Sequence, residues 1–335
     1  MEAKKLKIGI TQGDINGIGY EVIIKTLEDN RILDFCIPIV YGSPKVAAYH
    51  RKMLDINLSL NLINSAAEAN EKRANIINCT DDEIKVEISR STEAAGEASF
   101  AALEKATQDL KDGLIDAIVT GPINKKNIQS ANFHFPGHTE YLEEKFGKKG
   151  DALMLMVNEF MRVAVVTGHI PVSQIASSLS TEKILDKIKS LNTSLKKDFG
   201  VMKPRIAVLG LNPHAGDEGV IGDEESTIIS PAIKAALEKG IICVGPLPAD
   251  GFFGSSNFQN YDGILAMYHD QGLIPFKALS MESGVNFTAG LNIVRTSPAH
   301  GTAYDKAGLN IASEVSFREA LYAAYDIVNN RNRNK

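Results

Sequence analysis

Three histidines stand where predicted strands run out into loops: His169 in VAVVTGHIP, His214 in IAVLGLNPHAG and His269 in GILAMYHDQG. A parallel α/β sheet lines up such strand ends along one edge, so three imidazoles there could share one ion. Neutral imidazole suits zinc and related divalent ions, and three protein ligands with an open position describe a catalytic site better than a closed structural one. Cys36, Cys79 and Cys243 lie far apart with no CxxC spacing. That argues against a structural zinc or a disulfide framework, and for reduced thiols in a cytoplasmic chain. Any one of the histidines taken alone would more often cap a strand or bond backbone, whereas three in one context favour the shared ion.

Other loops carry groups that suit an anion. His138 and Thr139 in HFPGHTEYL precede a predicted helix. Thr139 suits the N-cap, which would occupy its hydroxyl, yet a helix amino terminus beside an imidazole is also a site for phosphate or carboxylate, and both readings stay open. His134, between Phe133 and Phe135, reads as packed. Lys277, Asn286 and Arg295 follow the last of the three histidines; the arginine offers a bidentate fork and the lysine a point charge, against a default of solvated surface residues. Asp250 in LPADGFF and Asp270 beside His269 are candidates to orient an imidazole or relay a proton. The opening GDINGIGYE places Gly13, Gly17 and Gly19 between a strand and a helix. Its N–H groups could face an anion, but the spacing is not GxGxxG and no ribose-binding acid follows, so a plain tight turn explains it equally well.

The elements that must position these residues alternate as in an α/β protein. LKIGIT reads as a strand, GYEVIIKTLED as a helix, FCIPIVYG as a strand, and Ser43-Pro44 as a helix start. NLINS, ANIINC and EIKVEIS resemble short strands of a satellite sheet or hairpin. Thr92 opens a helix that leads to the strand IDAIVTGP and a loop with Asn124 and Lys125. ALMLMVN and MRVAVVTGH read as an antiparallel hairpin turning at Asn158 to Phe160, so a mixed sheet is expected. Ser180 or Thr181 opens the next helix, and RIAVLGLN, IICVGP and YDGILAMYH are strands.

A chain of 335 residues exceeds one ordinary domain, and 44% apolar with 23% charged residues is ordinary for a soluble globular protein. A net charge of −5 without a basic stripe disfavours nucleic acid. No apolar run reaches the ~18 residues of a membrane span and the first strand is too brief for a signal-peptide core, so a cytoplasmic protein with no membrane partner is expected.

The segment TSPAHGTAYDKAG resembles the HGSAPDIAG loop with which isocitrate and isopropylmalate dehydrogenases hold the adenosine half of their cofactor. Together with GDxxGIGxE, TGPINK, FPGHTEYL, TGHIP, GLNPHAGDEG, LPADGFF and YHDQGLIPFK, it resembles the 4-hydroxythreonine-4-phosphate dehydrogenase family along nearly the whole chain. Where many relatives read GDPAGIGPE this chain has Ile15, Asn16 and Tyr20, which removes two prolines but no proposed ligand.

The resemblance implies an α/β fold of isocitrate/isopropylmalate dehydrogenase type: two α/β/α domains flanking a cleft, set here at 1–130 plus 300–335 on the cofactor side and 131–299 on the metal and dimer side. It implies a homodimer with active sites at the interface and ligands from both subunits. The divalent metal falls on His169, His214 and His269, with zinc first and magnesium or cobalt as alternatives. Substrate contacts fall on His138, Thr139, Lys277, Asn286 and Arg295, and NAD or NADP on His300, Gly301, Thr302, Ala303 and Asp305. The implied reaction oxidises the C3 hydroxyl of 4-phosphohydroxy-L-threonine, a small phosphorylated hydroxy-amino acid, and then loses CO₂ to give 3-amino-2-oxopropyl phosphate in vitamin B6 synthesis. Lys277 would assist decarboxylation, with Asp250 or Asp270 as proton relay. Dehydrogenases of threonate or erythronate 4-phosphate are the near alternative; a metal-dependent hydrolase and a non-catalytic metal- or phosphate-binding protein are the distant ones.

Overall fold

The central apolar runs, such as LKIGIT, CIPIVYG, AIVT and GILAMY, become strands buried on both faces, as strands covered by helices on each side require. The computed structural model describes residues 5–81, 83–130, 132–280 and 282–333. Its strands in chain order are β1 (Leu6–Thr11), β2 (Cys36–Gly42), β3 (Asn61–Ile63), β4 (Asn75–Asn78), β5 (Ala117–Thr120), β6 (Leu153–Val157), β7 (Arg162–Thr167), β8 (Arg205–Leu209), β9 (Ile242–Leu247), β10 (Gly263–Tyr268), β11 (Val285–Ala289) and β12 (Arg295–Pro298). The chain divides into two units, one of 1–148 with 292–329 and the other of 149–291 with 330–335. The sequence reading sets its divisions at 130 and 299.

The first unit is a parallel sheet ordered β3-β4-β2-β1-β5-β12. The chain leaves β1 toward β2 on one side and returns to β5 on the other, which makes the carboxyl ends of β1 and β5 a topological switch point. Ile8 and Ile10 of β1 are fully buried, each stabilising by roughly 1.5–3 kcal/mol. Thr92 caps the helix Glu93–Lys111 by accepting from Ala95 N at 3.3 Å. This helix buries Ala95, Ala98, Ala102 and Ala106, small side chains at helical spacing that let it lie close to the sheet. At Gly96 a Cβ would run into the Asn127 carbonyl, so only glycine admits that approach. NLINS and ANIINC extend the main sheet as β3 and β4 and form no satellite. EIKVEIS is not a strand: its backbone is held instead by Asn16, whose Oδ1 accepts from Glu87 N at 2.7 Å and whose carbonyl accepts from Ser89 N at 2.9 Å.

The second unit is mixed, ordered β11-β6-β7-β10-β8-β9. Only β6 runs against its neighbours, antiparallel to both β11 and β7. The expected hairpin turn forms at Asn158, whose Oδ1 accepts from Phe160 N at 3.0 Å and Met161 N at 2.9 Å. The helix Thr181–Lys197, capped by Ser180, buries Ile184, Ile188, Leu191 and Leu195 along one face, the 3.6-residue periodicity of a helix laid on a sheet. Both units are therefore α/β. Among the described residues, no helix is long and apolar enough to cross a membrane.

Candidate active site

Strands β7, β10 and β8 are neighbours and parallel, with Tyr268 registered against Thr167. Their carboxyl ends therefore emerge side by side, and they lead into His169, His269 and His214. The rings of His169 and His269 lie 5.5 Å apart between centroids. His269 Nδ1 is 2.7 Å from Asp270 Oδ1. In the neutral ring that nitrogen is the donor, which leaves the Nε2 lone pair free to accept, an arrangement that would suit a histidine oriented by a carboxylate toward a metal.

His214 sits on a different kind of backbone. Residues 214–218 all have positive φ, and four of the five are not glycine. Such a run is strained and persists only where its surroundings over-determine it. Buried Glu225 supplies the restraint: Oε1 accepts from Leu211 N and Asn212 N, both at 2.7 Å, and Oε2 accepts from Asn212 Nδ2 at 2.9 Å. Gln271 joins the two strand ends, donating to the Gly210 carbonyl at 2.6 Å and accepting from Met267 N at 2.7 Å. Among the described residues, no three His, Cys, Asp or Glu side chains gather closely enough to hold one ion. The structure thus pairs two of the three imidazoles and brings the third to the adjacent strand end, on a loop of its own. The donor set fits a divalent ion in its chemistry: imidazoles on adjacent strand ends, one already oriented by a carboxylate.

The first unit carries a second cluster. Arg295, at the start of β12 and buried, donates to Thr120 Oγ1 from Nη2 at 2.7 Å and from Nε at 3.0 Å. Its Nη2 also lies 3.1 Å from His138 Nδ1. A guanidinium only donates, so Nδ1 accepts and the ring's hydrogen is on Nε2. That Nε2 is buried without a hydrogen-bond partner among the described residues. Burial, then the charges of Arg295 and Lys125, hold the His138 imidazole well below its usual pKa, so it stays neutral. Burial also pushes Arg295 down to about 10, still a cation at neutral pH. His138 is the first residue of the helix His138–Phe146, and a Cβ built on Gly137 would stand 3.8 Å from Lys125 Cε. A buried N–H donor, a guanidinium, a nearby ammonium and a helix amino terminus together make a site for phosphate or carboxylate.

Thr139 is not the N-cap. That position falls to Gly137, whose carbonyl accepts from Tyr141 N at 3.3 Å, so Thr139 lies inside the first turn. His134 is exposed and stacks on Phe135 at 5.4 Å, while Phe133 is the buried neighbour. Lys277 is exposed in the last turn of the helix His269–Ser280. Asn286 lies on β11 with Oδ1 buried and unpartnered among the described residues. Asp250 is exposed in the first turn of the helix Ala249–Gly254; of the two carboxylates, Asp270 is the one in contact with a candidate histidine. In the 300–305 segment, Gly301 and Asp305 are exposed, and His300 Nδ1 lies 3.0 Å from the Gly301 carbonyl with Nε2 buried and unpartnered.

Sequence reasoning missed Gln271, Glu225, Asp14 and Tyr304. Gln271 and Glu225 act on backbone atoms of other elements, which leaves no spacing to read. Asp14 lies inside the glycine turn that was read through its glycines alone.

A sequence profile described as pyridoxal phosphate biosynthetic protein PdxA matches residues 34–324. A 4-hydroxythreonine-4-phosphate dehydrogenase of Bacteroides thetaiotaomicron is 59% identical over 100% of this chain and 92% of its own length. A putative D-threonate 4-phosphate dehydrogenase of Oceanobacillus iheyensis is 38% identical over 97% of this chain and 98% of its own. Among solved structures, 4-hydroxythreonine-4-phosphate dehydrogenase from Klebsiella pneumoniae superposes with a TM-score of 0.82 at 35% identity, covering 98% of this chain and 99% of that one. The expected fold type, that of the isocitrate and isopropylmalate dehydrogenases, agrees with these neighbours. Full-length likeness in sequence and in fold, over the segments that carry the histidine strand ends and the anion cluster, places this chain in the PdxA family.

Proposed function

We propose that this protein oxidises and decarboxylates 4-phosphohydroxy-L-threonine to 3-amino-2-oxopropyl phosphate, with NAD⁺ as hydride acceptor, in the synthesis of pyridoxal phosphate. The observation that carries this reading is the buried His138–Arg295 pair, an anion site made of one neutral N–H donor and one cation, in a chain 59% identical to an enzyme of that name. His138, Thr139, Lys277, Asn286 and Arg295 are assigned to the phosphate and carboxylate. NAD⁺, or NADP⁺ in its place, is assigned to His300, Gly301, Thr302, Ala303 and Asp305.

His169, His214 and His269 would hold a divalent ion, zinc by preference and magnesium or cobalt otherwise. Bound there, it would supply Lewis acidity toward the oxygen at C3 during both oxidation and loss of CO₂. The chain's own groups orient the substrate and move protons. Asp270 keeps His269 in the tautomer with a free Nε2 lone pair and is, with Asp250, a candidate relay for the hydroxyl proton. Lys277 would donate toward the enolate oxygen as CO₂ departs. The exposed Ile274 and Leu279 on the helix His269–Ser280 suit burial against a second copy of the chain, in line with a homodimer. Three unpaired thiols suit a reducing cytoplasm.

A second reading, oxidation of D-threonate 4-phosphate, is favoured by the relative of that name at 38% identity. Incubation with NAD⁺, a divalent ion and 4-phosphohydroxy-L-threonine is expected to produce NADH absorbance and CO₂. Faster turnover of threonate or erythronate 4-phosphate in the same assay would replace the first substrate, and no NADH with any of them would end the dehydrogenase reading.

A further inference from the structure

The glycine turn GDINGIGYE takes no part in the assignments above, yet it is hydrogen-bonded to several separate segments of the first unit. It follows β1 at the topological switch point, and Asp14 N donates to the Pro122 carbonyl after β5 at 2.8 Å. At Gly13, with φ of +67°, a Cβ would run into that same carbonyl. The Asp14 side chain is fully buried. Its Oδ1 accepts from Asn16 N at 2.9 Å, and its Oδ2 accepts from Asn127 Nδ2 at 2.8 Å and from the Tyr304 hydroxyl at 2.7 Å.

Tyr304 lies within the segment assigned to the cofactor, between Ala303 and Asp305. Ala303 has φ of 42°, a left-handed conformation that a non-glycine residue keeps only when its surroundings impose it. Hydrogen bonds from three other parts of the first unit hold the segment. Ile18 N donates to the Thr302 carbonyl at 3.0 Å, Ser89 Oγ donates to the Tyr304 carbonyl at 2.6 Å, and Asn124 Nδ2 donates to the Tyr304 hydroxyl at 3.0 Å. At Gly17 a Cβ would stand 2.6 Å from the Thr302 carbonyl oxygen, so the turn and the segment touch backbone to backbone. Gly301 and Asp305 meanwhile face solvent. The segment is thus anchored at Thr302 and Tyr304 while Gly301 and Asp305 stay exposed.

Asn16 and Tyr20, which stand where the related motif has alanine and proline, restore rigidity through hydrogen bonds. Asn16 Nδ2 donates to the Arg90 carbonyl at 2.9 Å and Thr92 Oγ1 at 3.0 Å. The Tyr20 hydroxyl bonds Gln12 Oε1 at 2.7 Å and accepts from Ser43 N at 2.9 Å. His50 Nε2 meets the Ile15 carbonyl at 2.9 Å while its ring stacks on Tyr20.

We propose that Asp14 and Tyr304 are a positioning pair: the buried carboxylate holds the tyrosine hydroxyl and so pre-forms the 300–305 backbone in the shape that binds the dinucleotide. This rests on the cofactor assignment made above. The pair sets cofactor affinity and leaves the chemical step alone. Burial, then the bond to Asp14, push the Tyr304 hydroxyl up to about 12, so it remains a donor at neutral pH.

Tyr304→Phe removes the hydroxyl, and with it the charge-assisted bond to Asp14 and the bond from Asn124, so it is expected to raise the Kd of NAD⁺, measured by calorimetry, about tenfold or more. The turnover number at saturating NAD⁺ and the KM of the phosphorylated substrate should stay within about twofold, the separation expected of a group that does not touch the reacting atoms. Asp14→Asn should weaken NAD⁺ binding in the same direction. The double variant should fall well short of the product of the two single effects, because both substitutions remove the shared Asp14–Tyr304 bond. Should Tyr304→Phe not fold, Ser89→Ala, which removes the bond to the Tyr304 carbonyl and the longer one to the Ala307 carbonyl while leaving the Tyr304 hydroxyl in place, is expected to raise the Kd severalfold. Amide hydrogen exchange of wild-type protein with and without NAD⁺ distinguishes failure of the cofactor assignment from failure of the positioning pair. If NAD⁺ leaves the amides of 300–308 unprotected, the cofactor assignment falls. If it protects them but the variants bind NAD⁺ as tightly as wild type, or the two substitutions are additive, the positioning pair falls and the assignment stands.

Discussion

Arg295 donates through Nη2 to His138 Nδ1 across 3.1 Å, and this one contact decides which imidazole nitrogen carries the hydrogen. The ring's donor is thereby directed from Nε2, a buried atom with no hydrogen-bond partner among the described residues. Left unmet, such a group costs about 1–3 kcal/mol, and an anionic ligand would remove that cost. Arginine suits this place because its rigid planar fork, spread over Nε and Nη2, meets Thr120 and His138 in one fixed geometry, which a flexible lysine ammonium does not reproduce. Arg295→Lys is expected to raise the KM of the phosphorylated substrate about 10- to 100-fold, the equivalent of roughly 1.5–3 kcal/mol. Steady-state kinetics on the folded variant checks this; an unchanged KM would take Arg295 out of the anion site.

Stability should fall as the solution is acidified, and histidines set where the fall begins. Burial holds His50, His138 and His300 below the usual histidine value of 6.5. A base with a lowered pKa in the folded state binds its proton more readily when unfolded, so acid favours unfolding. The contribution is absent above the unfolded value of 6.5 and grows as pH drops below it, until the folded pKa of each group is reached. Urea midpoints are expected to be level from about pH 7.5 to about 6.5 and to decline toward pH 5. His138→Gln should flatten part of that decline, and an unchanged slope in this variant would show that the ring is protonated without penalty.

Glu225 should matter both to stability and to ion binding, whereas His214 should matter only to the second. Glu225→Ala strands the N–H groups of Leu211 and Asn212, so a loss of about 2–4 kcal/mol is expected in urea unfolding, together with weaker uptake of zinc in competition with a chromophoric chelator. Glu225→Gln keeps an acceptor oxygen for both backbone groups and should recover most of the stability. His214 is exposed. His214→Ala should therefore leave stability within about 1 kcal/mol while abolishing metal-dependent NAD⁺ reduction. A folded His214→Ala protein with normal turnover and metal dependence would remove His214 from the ligand set.

The alternating elements were readable because strand and helix periodicities are local, and so were caps such as Ser43, Thr92 and Ser180, which act within the next turn. The placement of His169, His214 and His269 at strand ends was readable for the same reason, since each follows its own apolar run. EIKVEIS misled because its alternation looks like a strand, while its backbone groups are taken by Asn16, 71 positions earlier in the chain for Glu87. Thr139 misled because Gly137 fills the cap without a side chain.

What the amino-acid order determined by itself was the inventory: an α/β chain, its strand ends, and the imidazoles, carboxylates and cations that follow them. Tertiary structure alone decided which of these meet. Insertion of β10 between β7 and β8 makes the three histidine-bearing ends adjacent. His138 and Arg295 are 157 positions apart, and Asp14 and Tyr304 are 290 apart. Hydrogen bonds of that reach leave no periodic trace, because the spacing between the partners is set by how the sheet is threaded and not by the geometry of any one element.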